Sequence, residues 1–265
     1  MGEETQVSET DVASLKSRNL ALYGAYLGLG LAIVALVLLA LSPIGWHAGW
    51  WHFRFAFVWL MTSTTYIALA AVAVCLLALA LGWSRLGGRG ITMAGLGLVL
   101  GAALAYVPWQ YSPPAKSVPR IHDITTDTDN PPAFVAALPV RAAAKANPVT
   151  YEGPDLARQQ KAAYPDLVPL RLGLPPHEAF GRALEAARAM PGWTVVDSDP
   201  ATGRIEANEA SRWFRFVDDV VIRVAADGSG SRIDIRSVSR KGRSDLGVNA
   251  RRIRAYREAL KARVG

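Results

Sequence analysis

Three long apolar runs dominate the first 110 residues of the chain. They extend over residues 20–42, 56–83 and 91–109, and none of them contains Lys, Arg, Asp or Glu. Each run approaches or exceeds the roughly 20 residues that an α-helix needs to cross the hydrocarbon core of a bilayer. The pattern predicts a three-helix transmembrane region over 20–110, after an N-terminal segment of residues 1–19. A cleaved signal peptide is the weaker interpretation, because the segment before the first run is long and acidic.

Basic residues near the ends of the runs predict the orientation. Lys16, Arg18, Arg85 and Arg89 would share one side of the membrane, whereas Arg54 is alone in the first loop. Cytoplasmic ends of transmembrane helices carry more Lys and Arg than the opposite ends. We therefore predict a cytoplasmic N-terminus and a C-terminal part on the other side, which is the periplasm if the membrane is a bacterial inner membrane.

Small residues in the first and third runs suit close helix packing. Gly24 and Gly28, and likewise Gly97 and Gly101, have the spacing that lets two helix backbones approach each other. The approach could occur within one chain or between two copies, so a homo-oligomer stays open.

The first loop, residues 45–59, is rich in Trp, Phe and His. Such residues favour the headgroup level of a bilayer. A metal site at His47 and His52 is the weaker alternative, because no carboxylate accompanies the two histidines. The single cysteine, Cys75, lies within the second apolar run, which excludes a disulfide framework and a set of zinc-binding cysteines.

Beyond a proline-rich linker over 111–119, the patterns predict an α+β domain over 120–265. Two β-hairpins are predicted with turns at 199–203 and 227–230, and the segment 211–217 is expected to continue or add a strand. Helices are predicted at 133–137 with Asp129 or Asn130 as the cap, at 154–163, from Pro176 to Pro191, and from about Asp245. This order of elements predicts an antiparallel sheet with the helices on one face.

Several separated motifs of this domain resemble a known family. They are "PRIHDITTDTDNPPAF", "AAYPDLVPL", "WFRFVDDVVIRV", "GSRIDIRSVSR" and "GRSDLGVNARRIRAY", which occur in this order over residues 119–256. Together they resemble the domain-of-unknown-function family 1499, in its membrane-anchored form with three N-terminal transmembrane helices. The resemblance implies a bacterial envelope protein and implies no particular activity or catalytic residue.

The second half of the domain is basic, and its basic residues are mostly arginine. Residues 204–265 contain 15 Lys and Arg against 8 Asp and Glu, and 13 of the 15 are Arg. Arginine favours planar, bidentate pairing with carboxylates or phosphates. This composition indicates anion recognition, and its structural alternative is a solvent-exposed ladder of cross-strand Arg and Asp pairs.

Strand alternation predicts where these arginines lie. Val220, Ile222 and Val224 would share the face toward the helices with Ile233 and Ile235, so the alternate positions form a polar face. The candidate anion face comprises Arg215, Arg223, Arg236 and Arg240. The acidic residues Asp218, Asp219 and Asp234 are close enough in sequence to pair with part of it.

The turn after the last strand is a second candidate anion site. Lys241, Arg243 and Ser244 surround the predicted start of the final helix, whose free amides attract anions. Ser244 or Asp245 is expected to cap that helix, and a carboxylate at Asp245 would occupy the same amides. Asn249 falls on the apolar stripe of the helix, so we expect a structural role with its amide facing protein.

No motif for catalysis, a cofactor or a metal stands out in the sequence. The favoured hypothesis is a non-catalytic envelope module that binds an anionic lipid, a glycan or a protein partner. The alternative is an envelope hydrolase that combines His122 or His177 with acidic pairs and the loop over 151–169. The candidate acidic pairs are Glu206 with Glu209 and Asp218 with Asp219. The isoelectric point near 9.7 would suit nucleic-acid binding, but the predicted extracytoplasmic location argues against it.

Overall fold

The computed structural model describes residues 9–84, 86–109 and 118–264 of the chain. The chain divides into two compact units, Met1–Pro113 and Pro114–Gly265, which we call the bundle unit and the sheet unit. Arg85 and nearly all of the predicted linker over 111–119 lie outside the described residues.

The bundle unit consists of three long helices. They are α1 (Glu9–His47), α2 (Met61–Gly82), which a π-helical turn (Phe55–Leu60) precedes, and α3 (Gly87–Trp109). The apolar segments Arg18–His47, Phe55–Gly82 and Gly87–Trp109 are each long and apolar enough to cross a membrane. The three predicted apolar helices are therefore confirmed, and they identify a membrane protein by length and composition.

Glycines allow the three helices to pack closely. A Cβ atom on Gly28 would lie 2.3 Å from Sγ of Cys75 in α2, and one on Gly97 would lie 2.7 Å from the same sulfur. Gly24 and Gly101 also face α2 at contact distance. The predicted close approach is thus made within one chain, and association of two copies stays a prediction.

The sheet unit contains six strands in one antiparallel sheet. They are β1 (Asp123–Thr125), β2 (Leu170–Leu172), β3 (Trp193–Asp199), β4 (Arg204–Ala210), β5 (Val217–Asp227) and β6 (Gly230–Ser239). The order across the sheet is β1-β6-β5-β4-β3, and β2 pairs with β6 at the same edge as β1. The predicted α+β fold with two hairpins is confirmed.

One face of the sheet carries the main hydrophobic core. The strand residues Val220, Ile222, Val224, Ile233 and Ile235 are buried on this face, as the alternation predicted. They pack against α5 (Pro154–Ala163), α6 (Pro176–Ala189) and α7 (Val248–Lys261). The Tyr256 ring of α7 stacks on Trp193 at 5.4 Å between centroids, and its hydroxyl donates to the carbonyl of Ala183.

The opposite face is also covered, so the prediction of helices on one face only is wrong. Helix α4 (Ala137–Ala143) and the segment before it lie over β5 and β6. Phe134 and Ala137 pack there on Val221 and Val238. This helix begins four residues later than predicted, because the side chain of Glu206 in β4 binds its first amide and the two amides before it.

Two other boundaries differ from the predictions. Residues 211–216 form a turn between β4 and β5 and are not part of a strand. The last helix begins at Val248, after Gly247 in a left-handed conformation. The predicted helix over 154–163 is confirmed.

Candidate functional site

The predicted polar face exists, and its arginines contact carboxylates of the same unit. Arg223 donates to Asp127 at 2.9 Å and to Asp234 at 2.7 Å. Arg232 donates to the same two carboxylates at 2.7 and 3.0 Å. Asp234 is fully buried at the centre of this four-residue network. A network of this kind needs no external anion to balance its charge.

Arg236 is the most enclosed arginine of the predicted face. Its guanidinium makes a bidentate contact with Asp123, at 2.9 Å from Nε and 2.6 Å from Nη2, and donates to the carbonyls of Pro132 and Val149. The rings of Phe134 and Tyr151 each lie 5.6 Å from the guanidinium carbon, within range of a cation–π contact. Burial raises the pKa of Tyr151 to about 12, and the charge of Asp123 adds to the effect.

Asp219 and Asp218 form ion pairs with three further arginines, which are Arg141, Arg240 and Arg252. Asp219, which is 1% exposed, accepts from Arg240 at 2.7 and 2.8 Å and from Arg141 of α4 at 2.6 Å. Hydrogen bonding to Asp219 holds the pKa of Arg240 above its usual range. Asp218 accepts from Arg252 of α7 at 2.7 Å.

The predicted anion face is covered by other segments of the sheet unit and is not an open surface. Arg223, Arg236 and Arg240 use their guanidinium groups inside the unit, so the surface is an internal ion-pair layer beneath α4 and the segment before it. The partners Asp123 and Asp127 are more than 90 residues away in sequence, and for that reason the pairing could not be read from strand alternation. Ligand binding by these three arginines stays a prediction.

Arg215 does not belong to the sheet face, which corrects its predicted position. It lies in the turn over 211–216, is exposed, and has a positive φ of 49°. Trp213 in the same turn is 54% exposed, while Phe214 is buried.

The capping residue of the last helix is Gly247 and not Ser244 or Asp245, although Asp245 does bind amides at the start of the helix. The two carboxylate oxygens of Asp245 each accept an amide at 2.8 Å, from Gly247 and from Asn249. Burial raises the pKa of Asp245, although these two amides act in the opposite direction. Ser244 accepts the amide of Leu246. Asp245 thus occupies the amide of Asn249 in the first turn of the helix, and anion binding at this turn stays a prediction.

The basic residues of the turn differ in their roles. Lys241 donates to the carbonyls of Ala144 and Lys145 at the end of α4. Arg243 is exposed and is left available for other contacts.

Asn249 faces protein, as expected. It is fully buried, and its side-chain oxygen accepts from Ser237 and from Arg252. Its amide group donates to the carbonyl of His122 at 2.9 Å and to Ser239 at 3.1 Å. It therefore joins α7 to β6 and to the entry of β1.

A polar groove of about 250 Å³ lies beside this junction. Its side chains come from the entry to β1, from α5 with the residues before it, and from the turn after β6. The lining residues are Arg120, Ile121, His122, Asp123, Glu152, Leu156, Gln159 and Arg243. The sequence identified Arg243 and His122 as candidates but did not bring them together, because they belong to segments about 120 residues apart.

The charges of this groove are arranged differently from those of the sheet face. Among the residues that the structure describes, Arg120, Arg243 and Glu152 form no ion pair within 4.0 Å. Nδ1 of His122 is buried and has no hydrogen-bond partner in the same described set. The groove therefore offers two guanidinium groups to a ligand, and the imidazole of His122 lines it with its Nδ1 atom buried.

Two carboxylates proposed for hydrolysis have partners within the sheet unit, and hydrolysis stays a prediction. Glu206 accepts the amides of Val135, Ala136 and Ala137 at 2.6 to 3.0 Å, and Glu209 accepts from Arg252. His177 is exposed at the start of α6. Within the described residues, no group of three His, Cys, Asp or Glu side chains could hold a metal ion.

The chain is similar to a solved structure and matches a family model. Among solved structures, the chain is similar to TTHA0849 from Thermus thermophilus, with 10% sequence identity and a TM-score of 0.23. The match covers 37% of this chain and 94% of TTHA0849. No match was found among curated protein sequences. The model of the family described as "Protein of unknown function (DUF1499)" matches residues 123–260, which is more than half of the chain. The resemblance seen in the motifs is confirmed, and the chain belongs to the DUF1499 family.

Proposed function

We propose that this protein is a membrane-anchored, non-catalytic binding module of the bacterial envelope. Its sheet unit binds an anionic group of a lipid, a glycan or a protein partner in the groove lined by Arg120, His122 and Arg243. The observation that supports this proposal is the contrast between two sets of arginines. Those on the sheet face contact internal carboxylates, whereas Arg120 and Arg243 have no carboxylate within ion-pair distance in the described part of the chain.

The size of the groove limits the ligand. Pockets for drug-sized molecules measure about 300 to 1,000 Å³, and this groove measures about 250 Å³. It suits one headgroup, one amino acid or the end of a larger anionic molecule. Arginine pairs with phosphates and carboxylates in a bidentate manner, so either group would be accepted.

We also propose that the N-terminus is cytoplasmic and that the sheet unit lies on the opposite side of the membrane. The support is the excess of basic residues at the predicted cytoplasmic ends, Lys16, Arg18 and Arg89 among the described ones. This location places the groove among envelope lipids, glycans and protein tails.

The proposal is tested by binding of a small anion to the full chain in a neutral detergent. Titration with glycerol 3-phosphate should show binding that weakens as salt is raised. Arg243→Ala and Arg120→Ala should each reduce the affinity about tenfold, because each removes a charge-assisted contact. Arg188→Ala, which removes an exposed arginine of α6, is the matched control and should leave the affinity unchanged. Binding that is absent, or that neither variant alters, would reject the groove as the site.

A further inference from the structure

We infer that the ligand of this groove is dipolar, with a phosphate or carboxylate group and an ammonium group a few bonds apart. The inference rests on the proposed function and adds the role of Glu152. This residue lines the same groove as Arg120 and Arg243. Within the described residues it makes no ion pair with either of them, so opposite charges face one groove without contact.

The groove differs in this respect from the polar face of the sheet and its neighbours. Arg223, Arg236, Arg240 and Arg252 all contact carboxylates at 2.6 to 2.9 Å. In the groove, by contrast, the exposed side chains of Arg120, Glu152 and Arg243 form no ion pair among the described residues. A groove that keeps them apart leaves room for a molecule that contacts both signs of charge at once.

The negative charge of Glu152 also disfavours a purely anionic ligand. Asp123 is the other acidic residue of the groove, and Arg236 already binds its carboxylate. Glu152 is therefore the acidic group that a ligand would meet. Because charges interact over about 10 Å at moderate ionic strength, a simple anion held by the arginines would be repelled by Glu152. An ammonium group on the ligand turns that repulsion into an attraction.

The remaining lining fits a short dipolar molecule. Gln159 can hydrogen-bond to polar atoms of the ligand, while Ile121 and Leu156 can contact a short carbon linker. Phosphoethanolamine and an α-amino acid both carry the required pair of charges within the groove's volume. The two sources, a lipid headgroup and a free solute, share this chemistry.

A matched pair of ligands tests the inference on the full chain in neutral detergent. Phosphoethanolamine and n-propyl phosphate have the same length and phosphate, and only the first carries an ammonium group. We expect phosphoethanolamine to bind about twofold to fivefold more tightly, the range that corresponds to an exposed ion pair. Glu152→Gln should abolish this preference, by weakening phosphoethanolamine and strengthening n-propyl phosphate. Glu178→Gln, which changes an exposed glutamate of α6, should preserve it.

The outcomes separate the inference from the proposal beneath it. If both ligands bind equally and Glu152→Gln alters neither, the dipolar ligand is wrong and the anion groove stands. If neither ligand binds and Arg243→Ala has no effect, the groove itself is wrong. Competition with bound phosphoethanolamine then identifies the source of the ligand, when nanodiscs of phosphatidylethanolamine are compared with nanodiscs of phosphatidylpropanol. Stronger competition by phosphatidylethanolamine supports a lipid headgroup, and equal competition alongside a preference for soluble phosphoethanolamine supports a free solute.

Discussion

Arg236 joins three segments of the sheet unit that are distant in sequence. Its guanidinium binds Asp123 of β1 and the carbonyls of Pro132 and Val149, and it is 4% exposed. A buried ion pair has a high desolvation cost, so it stabilises a fold only when its geometry and remaining hydrogen bonds are well satisfied. Here the bidentate contact, two carbonyls and two aromatic rings meet that condition.

Removing this guanidinium should destabilise the sheet unit strongly. Arg236→Met leaves Asp123 buried without a countercharge, which costs about 3 to 5 kcal/mol. We expect the melting temperature of this unit in the full chain to fall by about 10 °C. Adding Asp123→Asn to this variant should recover part of the loss, because no isolated charge then remains. Arg171→Met, which disrupts an ion pair whose arginine is 71% exposed, should shift the melting temperature by no more than about 2 °C. Equal shifts for the two arginines would contradict a buried, structural role for Arg236.

A second prediction for a single residue concerns Tyr151, whose hydroxyl is buried without a hydrogen-bond partner among the described residues. Tyr151→Phe removes this unpaired group and keeps the ring beside Arg236, so stability at neutral pH should be unchanged or higher. The pKa of Tyr151 near 12 lies above its ordinary value of about 10. Its neutral form therefore favours folding at lower pH, and this contribution is lost as the pH rises from about 10 toward 12. Melting curves of wild type and variant should diverge over that range, and parallel curves would show that the phenol is solvated.

For single residues, the sequence predicted the face of the sheet on which a side chain lies better than it predicted the partners of that side chain. Strand alternation correctly separated Ile222 and Ile235 from Arg223 and Arg236 because side chains alternate strictly along a strand. It could not predict the contacts with Asp123, Asp127 or Arg141, since these depend on how distant segments fold over the sheet. The groove was missed for the same physical reason.

Among the elements, α4 depends most on its surroundings. Seven residues are too few for a stable isolated helix. Its first amide and the two before it bind the carboxylate of Glu206, which is fully buried and also lies 3.2 Å from Nε of Arg204. This acceptor belongs to a strand about 70 residues away. It explains why turn residues near Asp129 did not predict the start of the helix.

Glu206→Gln should therefore release α4 locally. Glutamine offers one acceptor oxygen where the carboxylate offers two, and its amide group would face the backbone donors. We expect a loss of about 1 to 3 kcal/mol, seen as faster hydrogen exchange of the amides over 135–141. Amides of α7 should exchange at the wild-type rate. Glu185→Gln, on the exposed side of α6, serves as the control. Unchanged exchange over 135–141 would show that Glu206 does not hold this helix.

In the bundle unit, the packing of α1 and α3 on α2 depends on single glycines. Gly28→Val would place methyl groups against Cys75 and Ala71, where even a Cβ lies 2.3 Å from the sulfur. Gly30, two residues further along the same helix, has no atom within 4 Å of an added Cβ and provides a matched control. Gly28→Val should lower the melting temperature and expose Cys75 to a maleimide reagent, whereas Gly30→Val should do neither. Equal labelling of Cys75 in both variants would contradict the close packing of Gly28 against Cys75.

For the whole molecule, the proposed topology has three membrane spans, which would put Lys16 and the sheet unit on opposite sides of the membrane. Apolar length identified all three helices from sequence, because the bilayer core imposes a minimum length. The direction of insertion depends on a few charges, Lys16, Arg18 and Arg89 against Arg54 in the described regions. The direction of insertion is therefore the least strongly determined feature that we predict from the sequence, because only these few charges favour it.

The orientation decides which anions the groove can meet, and reporter fusions measure it directly. Alkaline phosphatase joined after Gly265 should be active, because it folds only outside the cytoplasm, and green fluorescent protein at the same point should be dark. Fusions after Ser84, at the end of the second helix, should give the opposite result and act as the internal control. Replacing Lys16 and Arg18 with Glu should reduce the phosphatase signal at the C-terminus, since the charge difference that favours this orientation becomes smaller. A fluorescent C-terminal fusion in the wild-type chain would instead place Arg120, Arg243 and Glu152 in the cytoplasm, where soluble metabolites and nucleic acids replace envelope lipids as the available ligands.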